Sequence, residues 1–451
     1  MPGPFTAPIA GDEILPRRVD MVVIGGGIVG AAIALELVER GHSVALCEKG
    51  GIAHEQSSRN WGWVRLSRRD IREMPLMIES AKIWSGLAAR TGRDVGYRRT
   101  GILFTIAMKG TEAADNARFH DQLQDFQVPT KILSAKEVRA KYPELDLPLA
   151  GALLTPDDGR AEPQLAGPAI ALAARDRGVS LLVKCAVRGL ELSAGRVSGV
   201  VTERGVITCD AVVLAGGVWS NFFARRYGID IPQLNVTASA LRTDPLEGGP
   251  EEAIWCKEFA LRKRLDGGYT IASDHHNLVD IVPRSFKYLF KYLPALRSDW
   301  QSLHFRLSGQ FFKDIVDAKL RPLDEASAFE YTRVLDPVPS EKFTDDALKS
   351  LAKRWPLFTR ATIAQRWGGV IDVTPDAIPI IDAAVQVPGF FIATGFSGHG
   401  FGIAPAAGRL MADIVTGHQP VVDPKPFRIS RFMDGPKIKL MPDNMDRALL
   451  Q

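Results

Sequence analysis

Gly25, Gly27 and Gly30 are spaced as GxGxxG, directly after the apolar run 19–24 and at the opening of a stretch with helical spacing, 28–39. In that setting the pattern has a chemical meaning. Gly25 permits a tight turn, Gly27 lets backbone approach a pyrophosphate, and Gly30 lets the helix pack on the strand, while the N–H groups around Ile28 and Val29 face the phosphates. Glu48 closes the second apolar run, 43–47, just before Lys49. A carboxylate there accepts hydrogen bonds from a ribose 2′-hydroxyl and disfavours a 2′-phosphate. The bland alternative, a plain turn beside a solvated strand end, does not need all these parts in order.

Motif and acid leave FAD and NAD both open. Three further segments, Ser57-Ser58-Arg59-Asn60-Trp61-Gly62, Ala215-Gly216-Gly217-Val218-Trp219 and Gly395-Phe396-Ser397-Gly398-His399-Gly400-Phe401-Gly402, together resemble the D-amino-acid oxidase/dehydrogenase (DAO) family of FAD-dependent oxidoreductases. The resemblance runs from Val19 to about Gly417. It implies that Glu48 binds the adenosine ribose, that Val187 offers backbone to the adenine, and that 397–402 faces the flavin pyrimidine. A helix beginning near Gly402 would stabilise negative charge developing there. Gly368, Gly369 and Val370 stand where sarcosine-oxidase-like relatives carry a flavin-linking cysteine, so the resemblance implies non-covalent FAD.

The reaction implied is hydride transfer from the carbon beside the amine of a small D-amino acid or an N-substituted or cyclic amino acid, giving an imine that hydrolyses. Positioning does most of that work, so no strong base is required. A carboxylate clamp calls for arginine, whose planar fork binds two oxygens at once. Arg366 is the first choice because it precedes Thr374-Pro375-Asp376, which in the family lies close to the flavin; Arg65 and Arg262 are the others. His399 is a candidate for contact with the ring or the substrate amine. Trp63 and Trp367 are candidate pocket walls, although packing explains either equally well. The segment Tyr269-Thr270-Ile271-Ala272 has no lysine of the kind that assists oxygen in relatives. That favours a quinone or carrier protein as electron acceptor, with oxygen still open.

These residues need a doubly wound frame to hold them. The expected fold is α/β, a Rossmann-type FAD-binding domain with a second α+β substrate domain on a mixed or antiparallel sheet. The FAD domain is expected from 19–100, 156–230 and 366–420, the substrate domain from 101–155 and 231–365, and 421–451 is a C-terminal extension. Runs at 179–184, 187–192, 197–201 and 206–209 read as a small β-meander. Asp266-Gly267-Gly268 marks a hairpin, and Ser134 with Glu137 a capping box. Within an insertion at 284–330, residues 286–312 are aromatic and basic, and helical spacing would gather the aromatics on one side. That segment is expected to act as a lid, a homo-oligomer contact or a membrane-surface patch.

Composition narrows the rest. The 451 residues are 46% hydrophobic, enough for two joined cores. Lys and Arg number 56 against 52 Asp and Glu, a small excess spread along the chain, which argues against a nucleic-acid partner. Cys47, Cys185, Cys209 and Cys256 form no CxxC pair, so no metal is expected and a reducing compartment fits. With no apolar run near roughly 20 residues, the expectation is a cytoplasmic protein, peripheral at most to the inner membrane. Two other functions compete: oxidation of a 2-hydroxy acid or sugar phosphate, and a flavin-bound assembly protein without turnover.

Overall fold

The computed structural model describes residues 3, 4, 6–108, 112–273 and 276–433. The last part of the extension expected at 421–451 therefore lies outside the described residues. Met21–Ile24 and Val44–Cys47, both buried along their length, lie at the heart of a six-stranded sheet. Its order is Ile380–Ala383, Phe390–Thr394, Ala211–Leu214, Met21–Ile24, Val44–Cys47, Ser180–Leu182. All neighbours are parallel except the first pair. Continuous Val, Ile and Leu runs suit this geometry because both faces are covered, one by helices and the other chiefly by a small three-stranded sheet within 187–208. The helix Ile28–Glu39 is buried almost all round, between Gly400–Thr416 and Pro163–Asp176. The approach is close: a Cβ on Gly408 would stand 2.8 Å from Ala32.

The second sheet is larger and mixed. It runs Leu303–Arg306, Asn277–Asp280, Leu234–Thr243, Tyr269–Ala272, Ala260–Lys263, Ala253–Trp255, Ile102–Ala107, Leu149–Thr155, Lys131–Ser134. The long strand Ile363–Val373 pairs antiparallel with Leu234–Thr243 along nearly its whole length. It thus crosses the boundary expected at 365–366. The expected hairpin forms, with Gly268 N–H donating to the Asp266 carboxylate at 3.0 Å, and Ser134 caps Ala135–Lys141 in a capping box.

Three expectations are corrected. Ser180–Leu182 is the edge of the first sheet beside Val44–Cys47, so the meander has only the strands Val187–Ser193, Arg196–Thr202 and Gly205–Thr208. An apolar run cannot by itself say which sheet edge will take it. Residues 286–312 do not form one helix with an aromatic side: Pro283–Lys287, Leu289–Asp299 and Gln310–Asp317 are separate helices around a short strand. Tyr288 and Tyr292 turn inward while Phe286, Phe290, Trp300 and Phe312 stay exposed. The C-terminal helix begins at Gly400, earlier than Gly402, with His399 as its N-cap. Among the described residues no helix is long and apolar enough to cross a membrane.

Candidate functional site

A long cavity runs from the first glycine loop, between the two sheets, to the C-terminal turn. Gly25 adopts φ +109°, where a Cβ would strike the Ala215 carbonyl, and a Cβ on Gly30 would strike the carbonyl of Gly25. Gly27 differs: its Cβ would meet only Ser57 Oγ, at 3.1 Å, so this face is open to a ligand. Gly25, Gly27, Ile28 and Val29 line the cavity, and Gly30 stands behind them as packing. Ser57 Oγ accepts from Ile28 N–H at 2.9 Å and so ties the next helix, Gln56–Arg59, to the loop.

Glu48 is folded against this loop, its carboxylate accepting from Gly26 N–H at 2.7 Å and Gly50 N–H at 2.6 Å. Burial raises its pKa above the ordinary carboxylate value against the pull of Lys49 and these amides. Each oxygen keeps capacity for a further donor, as a ribose hydroxyl would need. Lys49 reaches Glu55 at 2.8 Å and the Thr332 carbonyl at 2.7 Å, and it lies 4.4 Å from the Trp219 ring centre. Trp219 donates to the same Glu55 carboxylate at 3.2 Å. Val187, Ala215 and Gly216 complete this end.

At the other end the turn before the C-terminal helix has three left-handed residues, Gly395, Ser397 and Gly398. It is pinned from two sides. Ser397 Oγ accepts from Thr374 N–H at 3.1 Å, and the Gly402 carbonyl accepts from Ser80 at 2.7 Å and Trp84 at 2.8 Å. Gly398, Gly400 and Phe401 line the cavity, while Gly402 packs on Trp63. Across from them lie Trp61, Ala238, Ala240, Gly369 and Ile371. Asn60 caps the preceding helix with bonds to Ser57 O at 2.9 Å and from Gly62 N–H at 2.8 Å, and Ser58 is wholly buried beneath it.

The structure does not bring the arginine candidates to this cavity. Arg366 points to the helix Glu341–Arg354, pairing with Asp345 and Thr344. Residues alternate across a strand, so while Arg366 faces outward, Trp367 faces inward. Arg262 is buried and bound to Glu162 at 2.8 and 3.2 Å. Arg65, 3% exposed, donates to the Ser67 carbonyl at 2.9 Å and lies over Phe104. The ring of His399 turns away from the cavity toward Glu73. Trp63 stacks edge-on against Trp61 and Phe104, and Trp367 donates to the Arg59 carbonyl at 2.9 Å; neither lines the cavity, nor does Gly368.

Sequence reasoning missed Arg59, Gln56, Ser239, Ser273 and Asn277, all of which line the cavity. Arg59 stands inside the Ser57–Gly62 motif, whereas Ser239 and Asn277 lie on strands, and Ser273 just past the end of one, with no distinguishing spacing. The residues present fit an FAD: a glycine cradle that a Cβ would fill, a buried acid at one end, and a turn of exposed backbone at the other.

A family model described as "FAD dependent oxidoreductase" (DAO) matches residues 20–414. Among solved structures, L-amino acid deaminase from Proteus vulgaris superposes with a TM-score of 0.90 at 31% identity, over 94% of this chain and 100% of that one. The same enzyme from Proteus myxofaciens, in complex with anthranilate, gives 0.90 at 32% identity, over 95% of this chain and 97% of that one. The 4-methylaminobutanoate oxidase (formaldehyde-forming) of Paenarthrobacter nicotinovorans is 26% identical across 95% of this chain and 47% of its own length, so the chain spans about half of that relative.

Proposed function

The chain belongs to the DAO family of FAD-dependent oxidoreductases, and from that premise we propose that it oxidises the Cα–N bond of an L-amino acid. The observation that carries the reading is the superposition on two L-amino acid deaminases at a TM-score of 0.90 and identities above 30%. It moves the stereochemistry away from the D-amino acids first expected. The bound flavin supplies the hydride acceptor. The chain's own residues orient and enclose: Gly398, Gly400 and Phe401 present backbone on one side, and Ala238, Ala240 and Gly369 leave room for a substrate on the other. Ser239, Ser273 and Asn277 on the cavity wall are able to donate to a substrate carboxylate, whereas the Arg59 guanidinium is held by Asp336 at 2.6 Å and by the Gly368 and His54 carbonyls. No general base is needed if the amine is neutral when hydride leaves.

For the electron acceptor, the exposed rings of Phe286, Phe290, Trp300 and Phe312 support contact with a membrane surface, where a quinone is at hand. Sedimentation with anionic vesicles tests that contact.

The decisive experiment is anaerobic reduction of the purified protein by a panel of L- and D-amino acids, their N-methyl analogues and 2-hydroxy acids. Bleaching by L-amino acids with release of a 2-keto acid and ammonia is expected. Bleaching only by D-amino acids, or only by 2-hydroxy acids, would overturn the assignment.

A further inference from the structure

Beneath the turn that presents Gly398 and Gly400 lies a charged cluster that hydride transfer leaves unused. His399 is 4% exposed, and its Nδ1 stands 3.3 Å from Oε2 of Glu73, whose side chain is wholly buried. Apart from this contact, neither ring nitrogen and neither carboxylate oxygen has a hydrogen-bond partner among the described residues. Glu73 precedes the helix Met74–Thr91, the same helix whose Ser80 and Trp84 hold the Gly402 carbonyl. The pair therefore sits where two elements that shape the turn meet.

The charges facing it are few. Arg65 and Arg69 approach from the loop after Trp63–Val64, Asp70 and Arg72 from just before the helix, and Asp158 lies behind them bonded to Ser67. Burial pushes the Glu73 carboxyl up to about 8 against the pull of Arg69, and burial, then Arg69 and Arg65, hold the imidazole well below its ordinary value. At neutral pH one proton resides on Glu73, the ring is neutral, and the pair carries no net charge.

We propose that Glu73 and His399 are a proton-holding positioning pair that fixes the flavin-facing turn and sets the charge beneath the flavin. The proposal rests on the family's FAD occupying the cavity at Gly398 and Gly400. Neither residue bonds to substrate or cofactor, and neither proton nor electron passes through the pair to the substrate. When Glu73 loses its proton, a negative charge appears below a ring that must accept two electrons, and the flavin becomes harder to reduce. Conversely, the reduced flavin raises the affinity of the pair for its proton.

Redox titration of the purified holoprotein across the neutral and alkaline range tests this. The midpoint potential of the wild type should fall more steeply above about pH 8, by one further proton per two electrons, about 30 mV per pH unit. Glu73→Gln, neutral at every pH, should bind FAD yet lose the steep segment, and Glu73→Asp should restore it. A wild type without that segment, or Glu73→Gln with it intact, overturns the proposal. Should Glu73→Gln not fold, the wild-type profile and Glu73→Asp still decide. Protein that takes up no flavin at all would instead refute the cofactor assignment.

Discussion

Oδ2 of Asp372 accepts the backbone N–H of Gly395 at 2.8 Å, joining the end of the longest strand of the second sheet to the turn that follows the first sheet's strand Phe390–Thr394. The same oxygen accepts from Gln233 at 2.8 Å and from Thr394 at 3.3 Å, and Ser397 N–H donates to the Asp372 carbonyl at 2.9 Å. One buried side chain thus holds the two sheets in register around the cavity. Burial raises its pKa above the ordinary value. Asp372→Asn keeps an acceptor and removes a buried charge, so its melting temperature should match or exceed wild type at neutral pH. Asp372→Ala leaves two or more donors unpaired and should lose about 1–3 kcal/mol, with weaker flavin retention. Thermal unfolding with and without added FAD measures both.

The two ends of the glycine motif should separate folding from binding. Gly30→Ala forces a Cβ into the Gly25 carbonyl, and should cost about 1–3 kcal/mol or more with loss of soluble protein. Gly27→Ala meets only the Ser57 hydroxyl. It should melt near wild type as apoprotein yet bind FAD at least about tenfold more weakly, roughly 1.4 kcal/mol. Flavin fluorescence on titration into apoprotein checks the second, and chemical denaturation the first.

Much of this arrangement was legible in the residues, because backbone chemistry writes itself into sequence. Glycines forced by close approach, an acid at a strand end and the helix Ile28–Glu39 all stand where spacing predicts. Side-chain direction was not legible. Arg366 and Trp367 are neighbours, and a strand's alternation sends Trp367 into the core against Ala240 and Ala272 and Arg366 out to Asp345. Which way each goes depends on the partner strand, Leu234–Thr243, far away in the chain. His399 misled for a similar reason: its neighbours line the cavity, but the helix starts one residue later, and the N-cap ring turns to Glu73.

Arg366→Ala follows directly. With its guanidinium on Asp345 and Thr344, at a half-exposed site, the change should alter kcat/KM by no more than about twofold and stability by less than about 1 kcal/mol. A carboxylate clamp would instead raise KM steeply, so steady-state kinetics on the best substrate of the panel separates the two roles.

Arg262 and Glu162 form a buried ion pair, 1% and 7% exposed, at the back of the Trp61–Trp63 loop, where a Cβ on Gly62 would stand 3.0 Å from the guanidinium carbon. Burial alone would raise the Glu162 pKa, but the charge and paired hydrogen bonds of Arg262 outweigh it and hold the carboxyl below its ordinary value. A carboxylate depressed by folding contributes stability above its unfolded pKa, about 4.3, and that contribution is lost as pH falls through the lowered folded value. Arg262→Leu leaves the buried carboxylate only the Leu265 N–H at 2.9 Å and Arg264 at 3.9 Å, and should cost up to about 3–5 kcal/mol at neutral pH. Its sign with pH should then reverse: without its partner the buried acid titrates above the ordinary value, so the variant recovers stability relative to wild type in mild acid. Arg262→Leu/Glu162→Leu removes the orphaned charge and should regain most of the loss at neutral pH. Urea unfolding of the three proteins at neutral pH and in mild acid measures this, and a single variant equally destabilised at both would show that lost packing, not the unpaired charge, sets the cost.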